Sequence, residues 1–157
     1  MILTEVLHRK LIKVPLESKD KQAAITELVD LLNANGLLSD RDVALESVMA
    51  REQTRSTGIG GRIAIPHGKC NAVNELVMAM GIARNPIDFK SIDNKPVTII
   101  ILLISPADQT GPHIQALAKI SRLMLDEDFK EQLEKANSAD EVHKLLSSKE
   151  NTDRTPI

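Results

Sequence analysis

The sequence predicts a three-layer α/β/α domain, and three observations support that fold class. The chain has 157 residues, of which 42% are apolar, and this suffices for one buried core. Segments with the apolar periodicity of helices alternate with short runs typical of strands. The longest apolar run, Val97–Ile104, has the length of a buried strand and is far too short to span a membrane.

The N-terminal part of the chain predicts a helical turn, an edge strand and a helix. Residues 4–7 fit one helical turn, and residues 12–16 alternate apolar and polar side chains as a half-buried strand does. Pro15 favours an edge position for that strand, because proline cannot donate a ladder hydrogen bond. Ser18 can cap the following helix, which ends near Gly36 as a glycine at C′.

A second helix and three strands follow. Ser39 and Asp42 have the spacing of a capping box, and their helix ends at Arg51-Glu52. The predicted strands and turns are, in order: Ile63–Ile65, Leu76–Ala83, a turn at Asn85-Pro86, a turn at Asp93-Asn94, and Val97–Ile104.

Three helices are predicted after residue 106. The first begins near Pro112, which suits a first helical turn and places His113 at the helix N-terminus. Its inner face is predicted to carry Ile114, Leu117, Ala118 and Leu125. A second helix contains Phe129, and a third begins at a capping box formed by Ser138 and Glu141. Residues 1–148 are therefore assigned to one domain, and residues 149–157 to a polar, disordered tail.

Composition excludes several classes of function. Lys and Arg total 20 against 22 Asp and Glu, so the net charge of −2 offers no basic footprint for nucleic acid. The chain has no Tyr or Trp on which bases could stack. One cysteine, Cys70, cannot form an internal disulfide and fits a reducing compartment. With no targeting segment and no membrane-spanning run, a soluble cytoplasmic domain without membrane insertion is expected.

Residues 51–69 hold the most informative motif of the chain. A short strand ends at Pro66 and is followed by His67 and Lys69, and Arg51 lies ahead of a glycine-rich turn. Histidine can accept and pass on a group near neutral pH, and the surrounding positive charge favours an anion. The motif predicts a phosphoryl carrier, although taken alone His67 could equally be a structural histidine at a strand end.

A glycine-rich turn within this motif is interpreted as a phosphate cradle. The residues assigned to it are Ser56, Thr57, Gly58, Ile59 and Gly60. Glycines let backbone N–H groups approach an anion closely, and the two hydroxyls add donors. The alternative is a plain connection between a helix and a strand. No Gly-Lys-Ser/Thr follows, so a nucleotide-binding loop is not indicated.

These motifs resemble the enzyme IIA domains of the bacterial phosphotransferase system, in the fructose/mannitol/nitrogen-regulatory class (type 2). The resemblance rests on Ser-Thr-Gly-Ile-Gly and Ile-Ala-Ile-Pro-His-Gly-Lys, and it extends over roughly residues 3–148. The stretches Phe89–Val97 and Ser105–Thr110 are most similar to the nitrogen-regulatory branch. The resemblance implies a small mixed β-sheet flanked by helices on both faces.

The same resemblance implies roles for the candidate site residues. His67 would carry the phosphoryl group on Nε2, with Nδ1 held by a backbone carbonyl. Arg51 would bind phosphate oxygens, and His113 would donate a hydrogen bond as charge develops. Taken alone, Arg51 could be a solvated residue at a helix end and His113 a helix-cap residue.

The implied partner is a phosphorylated histidine carrier protein of the HPr/NPr type, and no metal or other cofactor is required. Two functions follow from a phosphorylated His67. The protein is either a regulator whose phosphorylation changes its partners, as in the nitrogen-regulatory branch, or a sugar-specific IIA that passes the group to an enzyme IIB cysteine. We favour the regulator. A silent binding domain is the third alternative.

Overall fold

The computed structural model describes residues 2–154 of the chain. In chain order the elements are α1 (Leu3–Val6), a 3₁₀ helix (Arg9–Leu11), β1 (Ile12–Lys13), α2 (Lys21–Ala34), α3 (Arg41–Thr54), β2 (Gly58–Gly60), β3 (Ile63–Ala64), β4 (His67–Lys69), β5 (Val77–Ile87), β6 (Val97–Ser105), α4 (Thr110–Leu123), α5 (Glu127–Lys135) and α6 (Ala139–Arg154).

The six strands form one mixed sheet in the order β1-β5-β6-β3-β2, and β4 pairs with β6 beyond the end of β3. Strands β3 and β4 both run parallel to β6, whereas β5 is antiparallel to it. Strand β1 lies at one edge, as Pro15 indicated. The prediction of an α/β domain with a small mixed sheet is confirmed.

Helices cover both faces of this sheet. Neighbouring residues of a strand point to opposite faces, yet every residue of Ile99–Ser105 is at most 1% exposed. Helices α2 and α3 pack against each other, and α5 packs against α6. The inner face of α2 is the predicted one, with Ala24, Ile25, Leu28, Val29 and Leu32 fully buried.

The two predicted caps at Ser18 and Ser39 are wrong. Helix α2 is capped by Asp20, whose carboxylate accepts from the N–H of Ala23, while the Ser18 hydroxyl donates to Glu27. Helix α3 is capped by Asp40, and the Ser39 hydroxyl donates to a distant carbonyl. In both places an aspartate one or two residues further on lies in the extended conformation that a cap requires.

Strands β2 and β4 have no counterpart among the predicted strands, and β5 is longer than predicted. Residues 85–86 do not form a turn but lie inside β5, where the register with β6 is interrupted between Ile82 and Ile87. The interruption tolerates Pro86, because no ladder hydrogen bond is needed from it there. The turn at Asp93-Asn94 is confirmed, with Asn94 at φ 60°.

Helix α4 faces the core with a different side from the predicted one. Its buried residues are His113, Ala116, Ile120 and Leu123. Of the predicted set, Ile114 is 58% exposed and Leu125, which follows the helix, is 80% exposed. The prediction followed the larger apolar residues, whereas packing against β6 selects the face that carries the histidine and a small alanine.

The predicted disordered tail is wrong for residues 149–154, which continue α6. Glu150 in this stretch is 1% exposed and accepts hydrogen bonds from the backbone N–H groups of Leu3 and Thr4. Lys119 lies 2.6 Å from the same carboxylate. The carboxylate accepts from backbone N–H groups at the start of α1 that have no partner within that helix, and these contacts hold the polar end of α6 in place. Residues 155–157 lie outside the described part of the chain.

Candidate functional site

His67 stands at the edge of the sheet where parallel strands finish. The chain leaves β3 at Ile65-Pro66 and rejoins β6 as β4, so His67 pairs with Leu103. The Pro66 carbonyl accepts a hydrogen bond from the N–H of Leu103 at 3.0 Å. The carboxyl ends of parallel strands are the usual place for a binding crevice in α/β sheets.

A backbone contact determines the tautomer of His67. Its Nδ1 lies 2.8 Å from the carbonyl oxygen of Ile65. A carbonyl can only accept a hydrogen bond, so Nδ1 carries the proton and donates it. The neutral ring therefore keeps a free lone pair on Nε2, the nitrogen that can act as a nucleophile.

The surroundings of His67 keep its imidazole neutral. Burial is the largest cause that lowers the pKa of His67, and the positive charges of Arg51 and Lys69 lower it further. The hydrogen bond to Ile65 and the charge of Glu52 act in the opposite direction, but the net pKa lies below the ordinary value of 6.5. A neutral, nucleophilic imidazole is the result near neutral pH.

Helix α3 approaches β4 closely because residue 68 is glycine. A Cβ on Gly68 would lie 2.4 Å from Ser47 Oγ and 3.1 Å from the backbone of Ser47 and Val48. The Ser47 hydroxyl also donates to the carbonyl of Lys69 at 3.1 Å. This contact brings the last turns of α3, and with them Arg51, beside His67.

Arg51 is half-buried and lines the same cleft as His67. One of its terminal nitrogens donates to the carbonyl of Arg55 at 2.8 Å, which orients the guanidinium and leaves its other N–H groups for a ligand. The buried carboxylate of the next residue, Glu52, has other partners: it accepts from the N–H and hydroxyl of Thr57 and pairs with Lys21 at 2.8 Å.

His113 meets His67 from the first turns of α4. The two ring centroids are 5.3 Å apart with an interplanar angle of 64°. His113 is only 3% exposed, and its Nδ1 lies 2.6 Å from the Oγ of Ser105. Burial, with smaller effects of His67 and Lys69, lowers the pKa of His113 to about 4. Both imidazoles of the cleft are thus neutral near pH 7.

The cleft has a volume of about 500 Å³. It is lined by Ser47, Arg51, His67, Gly68, Lys69, His113 and Leu117. The ammonium group of Lys69 lies on its rim, 3.3 Å from the hydroxyl of Thr110. Two cationic side chains and two neutral imidazoles, with no carboxylate in the lining, favour an anionic ligand.

The structure does not support the predicted phosphate cradle at residues 56–60, and that assignment is corrected. None of Ser56, Thr57, Gly58, Ile59 and Gly60 lines the cleft, and Gly58–Gly60 form strand β2. Four of its donors are also taken: Ser56 Oγ donates to the Phe89 carbonyl, the N–H and hydroxyl of Thr57 donate to Glu52, and the Gly58 N–H donates to Ser56 Oγ. The alternative of a plain connection between helix and strand describes this segment.

Sequence reasoning missed three residues of the cleft or its support, namely Ser47, Ser105 and Leu117. Ser105 could have been found from its position, because it is a polar residue that ends the long apolar run just before Pro106.

Within the part of the chain that the structure describes, no group of three or more His, Cys, Asp and Glu side chains could hold a metal ion. Over the same residues, no helix is long and apolar enough to cross a membrane.

Comparison with known proteins identifies consistent similarities. The model of the family described as the phosphoenolpyruvate-dependent sugar phosphotransferase system, EIIA 2, matches residues 5–149. A fructose-specific EIIA component of Haloferax volcanii is 35% identical over 145 residues, which cover 92% of this chain and 94% of that protein. A nitrogen regulatory protein of Escherichia coli is 33% identical over 153 residues, covering 96% of this chain and 92% of that protein.

Other matches differ in length or add structural support. A fructose-specific EIIABC component of Bacillus subtilis is 34% identical over 147 residues, which are 94% of this chain but only 23% of that longer protein. The crystal structure of nitrogen regulatory protein IIA-Ntr from Neisseria meningitidis superposes with a TM-score of 0.81 at 30% identity, covering 93% of this chain and 99% of that one.

Proposed function

The chain belongs to the EIIA 2 family of the phosphoenolpyruvate-dependent sugar phosphotransferase system, and from this we propose that it carries a phosphoryl group on His67. The observation that carries the proposal is the hydrogen bond from His67 Nδ1 to the Ile65 carbonyl, which leaves Nε2 as the free nucleophile. That nitrogen belongs to a cleft whose cationic lining suits a phosphoryl group.

The proposed step is an in-line transfer between two histidines. Nε2 of His67 attacks the phosphorus of a phosphohistidine on an HPr/NPr-type carrier protein, a new N–P bond forms, and the N–P bond to the donor imidazole breaks. The donor imidazole leaves with the electron pair and no net proton transfer is required. The energy already resides in the donor's N–P bond, so positioning and charge stabilisation are the main tasks of the acceptor.

Arg51 and His113 are the groups proposed to stabilise the transferred phosphoryl group. Arg51 is oriented by the Arg55 carbonyl, and its free N–H groups can bind the equatorial oxygens. His113 is neutral and its ring lies beside that of His67, so it offers a hydrogen-bond donor without adding charge. Lys69 on the rim would attract the phosphorylated partner.

We propose that the carrier acts as a regulator whose phosphorylation changes its partners. The sequence stretches Phe89–Val97 and Ser105–Thr110, and the fold and sequence likeness to nitrogen regulatory proteins, support this role. The alternative is a sugar-specific IIA that passes the phosphoryl group to a cysteine of an enzyme IIB. The fructose-specific relative of matching length supports this alternative.

The test is phosphorylation from phosphoenolpyruvate through enzyme I and a histidine carrier protein, read by intact mass. The wild type is expected to gain one acid-labile phosphoryl group, and His67→Ala none. His8→Ala is the matched control, because His8 is exposed and lies outside the cleft. Undiminished labelling of His67→Ala, or no labelling of the wild type by competent donors, would refute the carrier.

A second stage of the same assay distinguishes the regulator from the sugar-specific IIA. Candidate enzyme IIB proteins are added to the phosphorylated protein, and transfer to a IIB cysteine is followed by mass. Rapid onward transfer would favour sugar uptake. A protein that keeps its phosphoryl group, and binds a different set of partners when phosphorylated, would support the regulator.

A further inference from the structure

We infer that Ser105 is a positioning residue: its buried hydroxyl donates to Nδ1 of His113 and so holds the N–H of that imidazole on Nε2, where it can serve the cleft at His67. The contact joins Ser105 Oγ and His113 Nδ1 at 2.6 Å, and the two residues are 0% and 3% exposed. No comparison or motif assigns a role to Ser105.

The direction of this hydrogen bond follows from the needs of the hydroxyl. His113 Nδ1 is the only hydrogen-bond partner of the Ser105 hydroxyl among the residues that the structure describes. If Nδ1 carried a proton and donated it to Ser105, the hydroxyl proton would be buried without an acceptor, which is unfavourable. If the hydroxyl donates instead, both groups are satisfied and the remaining N–H of the ring is on Nε2.

The state of charge of His113 supports the same assignment. Burial together with His67 and Lys69 lowers the pKa of His113 to about 4, so near pH 7 the ring holds a single proton. A neutral imidazole has one donor and one acceptor nitrogen, and the partner of one nitrogen decides the role of the other. Ser105 thereby decides whether His113 presents a donor or an acceptor on Nε2.

The backbone holds Ser105 firmly enough for this task. It is the last residue of β6 and pairs with Lys69 of the parallel strand β4. Its carbonyl accepts a hydrogen bond from the N–H of Cys70 at 3.0 Å. His67 lies on β4, so the serine and the proposed acceptor are placed by the same pair of strands, while His113 lies beside them on α4.

The two neutral rings then have complementary tautomers. His67 donates from Nδ1 and keeps Nε2 as a lone pair, whereas His113 accepts on Nδ1 and keeps Nε2 as a donor. One ring thus supplies the nucleophile and the other an N–H for the oxygens of the incoming phosphoryl group. The catalytic consequence rests on the proposed phosphoryl transfer to His67, while the tautomer assignment does not.

The first measurement is therefore made on the unphosphorylated protein. Two-bond ¹H–¹⁵N correlation spectra of the imidazoles at pH 7 compare the wild type with Ser105→Ala and Ser105→Thr. Ser91→Ala is the matched control, because Ser91 is also buried but its hydroxyl has no partner among the described residues.

We expect Nδ1 of wild-type His113 to show the shift of a lone-pair nitrogen and Nε2 that of an N–H. In Ser105→Ala both shifts should move toward a mixture of tautomers, Ser105→Thr should restore them, and Ser91→Ala should match the wild type. A protonated Nδ1 in the wild type, or unchanged His113 shifts in Ser105→Ala, would overturn the inference.

The second measurement is the rate of phosphoryl gain with the same variants. Loss of the tautomer preference should lower the rate of phosphoryl gain in Ser105→Ala about tenfold. This effect is smaller than that of removing a preorganised donor completely, because part of the His113 population still has its N–H on Nε2. The threonine hydroxyl of Ser105→Thr should restore the rate. A wild-type rate in Ser105→Ala, with altered tautomers, would remove Ser105 from the reaction. Absence of any phosphorylation in the wild type would refute the proposed function, and the spectra would still decide the tautomer.

Discussion

Replacement of His113 by asparagine should remove a large part of the acid sensitivity of the fold. His113 is buried as a neutral ring, and its pKa is about 4 in the folded protein against about 6.5 in the unfolded chain. Because the folded-state pKa is the lower one, protonation favours the unfolded chain. The stabilisation is complete above about pH 7 and is lost as the pH falls from 6.5 toward 4.

The two pKa values set the magnitude. The full difference corresponds to about 3 kcal/mol, and about 2 kcal/mol of it should disappear between pH 7 and pH 5. This narrower interval is the useful one, because most carboxylates remain ionised throughout it. His113→Asn keeps a polar side chain near Ser105 but does not titrate. Between pH 7 and pH 5, the free energy of unfolding of this variant should therefore fall by about 2 kcal/mol less than that of the wild type.

The assay is urea denaturation of both proteins at pH 7, 6 and 5, with the free energy of unfolding extrapolated to water. His67 also contributes a lowered pKa, but it is present in both proteins and cancels in the comparison. If the wild type and His113→Asn lose the same stability between pH 7 and pH 5, His113 is not held as a buried neutral ring and the argument fails.

Three further predictions concern the cleft. Gly68→Ala should lower the free energy of unfolding by about 1–3 kcal/mol in urea denaturation and slow phosphorylation, because its Cβ would lie 2.4 Å from Ser47 Oγ. Gly111→Ala, whose Cβ would have no atom within 4 Å, is the control expected to keep full stability. Arg51→Lys should keep the charge and the stability but slow phosphoryl gain by about tenfold to a hundredfold, since lysine lacks the planar fork; equal rates by intact mass would exclude a bidentate role. The rate of phosphoryl gain at His67, measured across pH, should fall to half its maximum below pH 6.5, since the pKa of His67 is lowered from its ordinary value. A half-maximal rate at or above pH 6.5 would contradict that environment.

Several features could be predicted because their physical causes are local in the chain. Proline ends the strand that precedes His67, so the break between β3 and that histidine follows from adjacent residues, although the structure places His67 as the first residue of β4. Up to Ile104, strand β6 is an apolar run interrupted only by Thr98, and the inner face of α2 repeats with helical periodicity. The resemblance to a known family then supplied the roles proposed for Arg51 and His113, whose side chains the structure brings into the cleft of His67.

Other features were decided by tertiary structure, because a polar group takes the partner that packing places beside it. The sequence of the turn at residues 56–60 predicts an anion cradle, but the Glu52 carboxylate and the Phe89 carbonyl accept hydrogen bonds from its donors. The polar C-terminal sequence predicts disorder, but the Glu150 carboxylate accepts a hydrogen bond from the N–H of Leu3, 147 positions away.

The cleft shows the same division. From the sequence alone, His67 was identified as a candidate nucleophile at the end of a strand. Only the fold brings the last residue of β6, Ser105, within 2.6 Å of His113, and places that ring 5.3 Å from His67. Local residues decide where a strand ends, whereas the protonated nitrogen of each imidazole depends on which buried group faces it, and that is determined by packing of the whole chain.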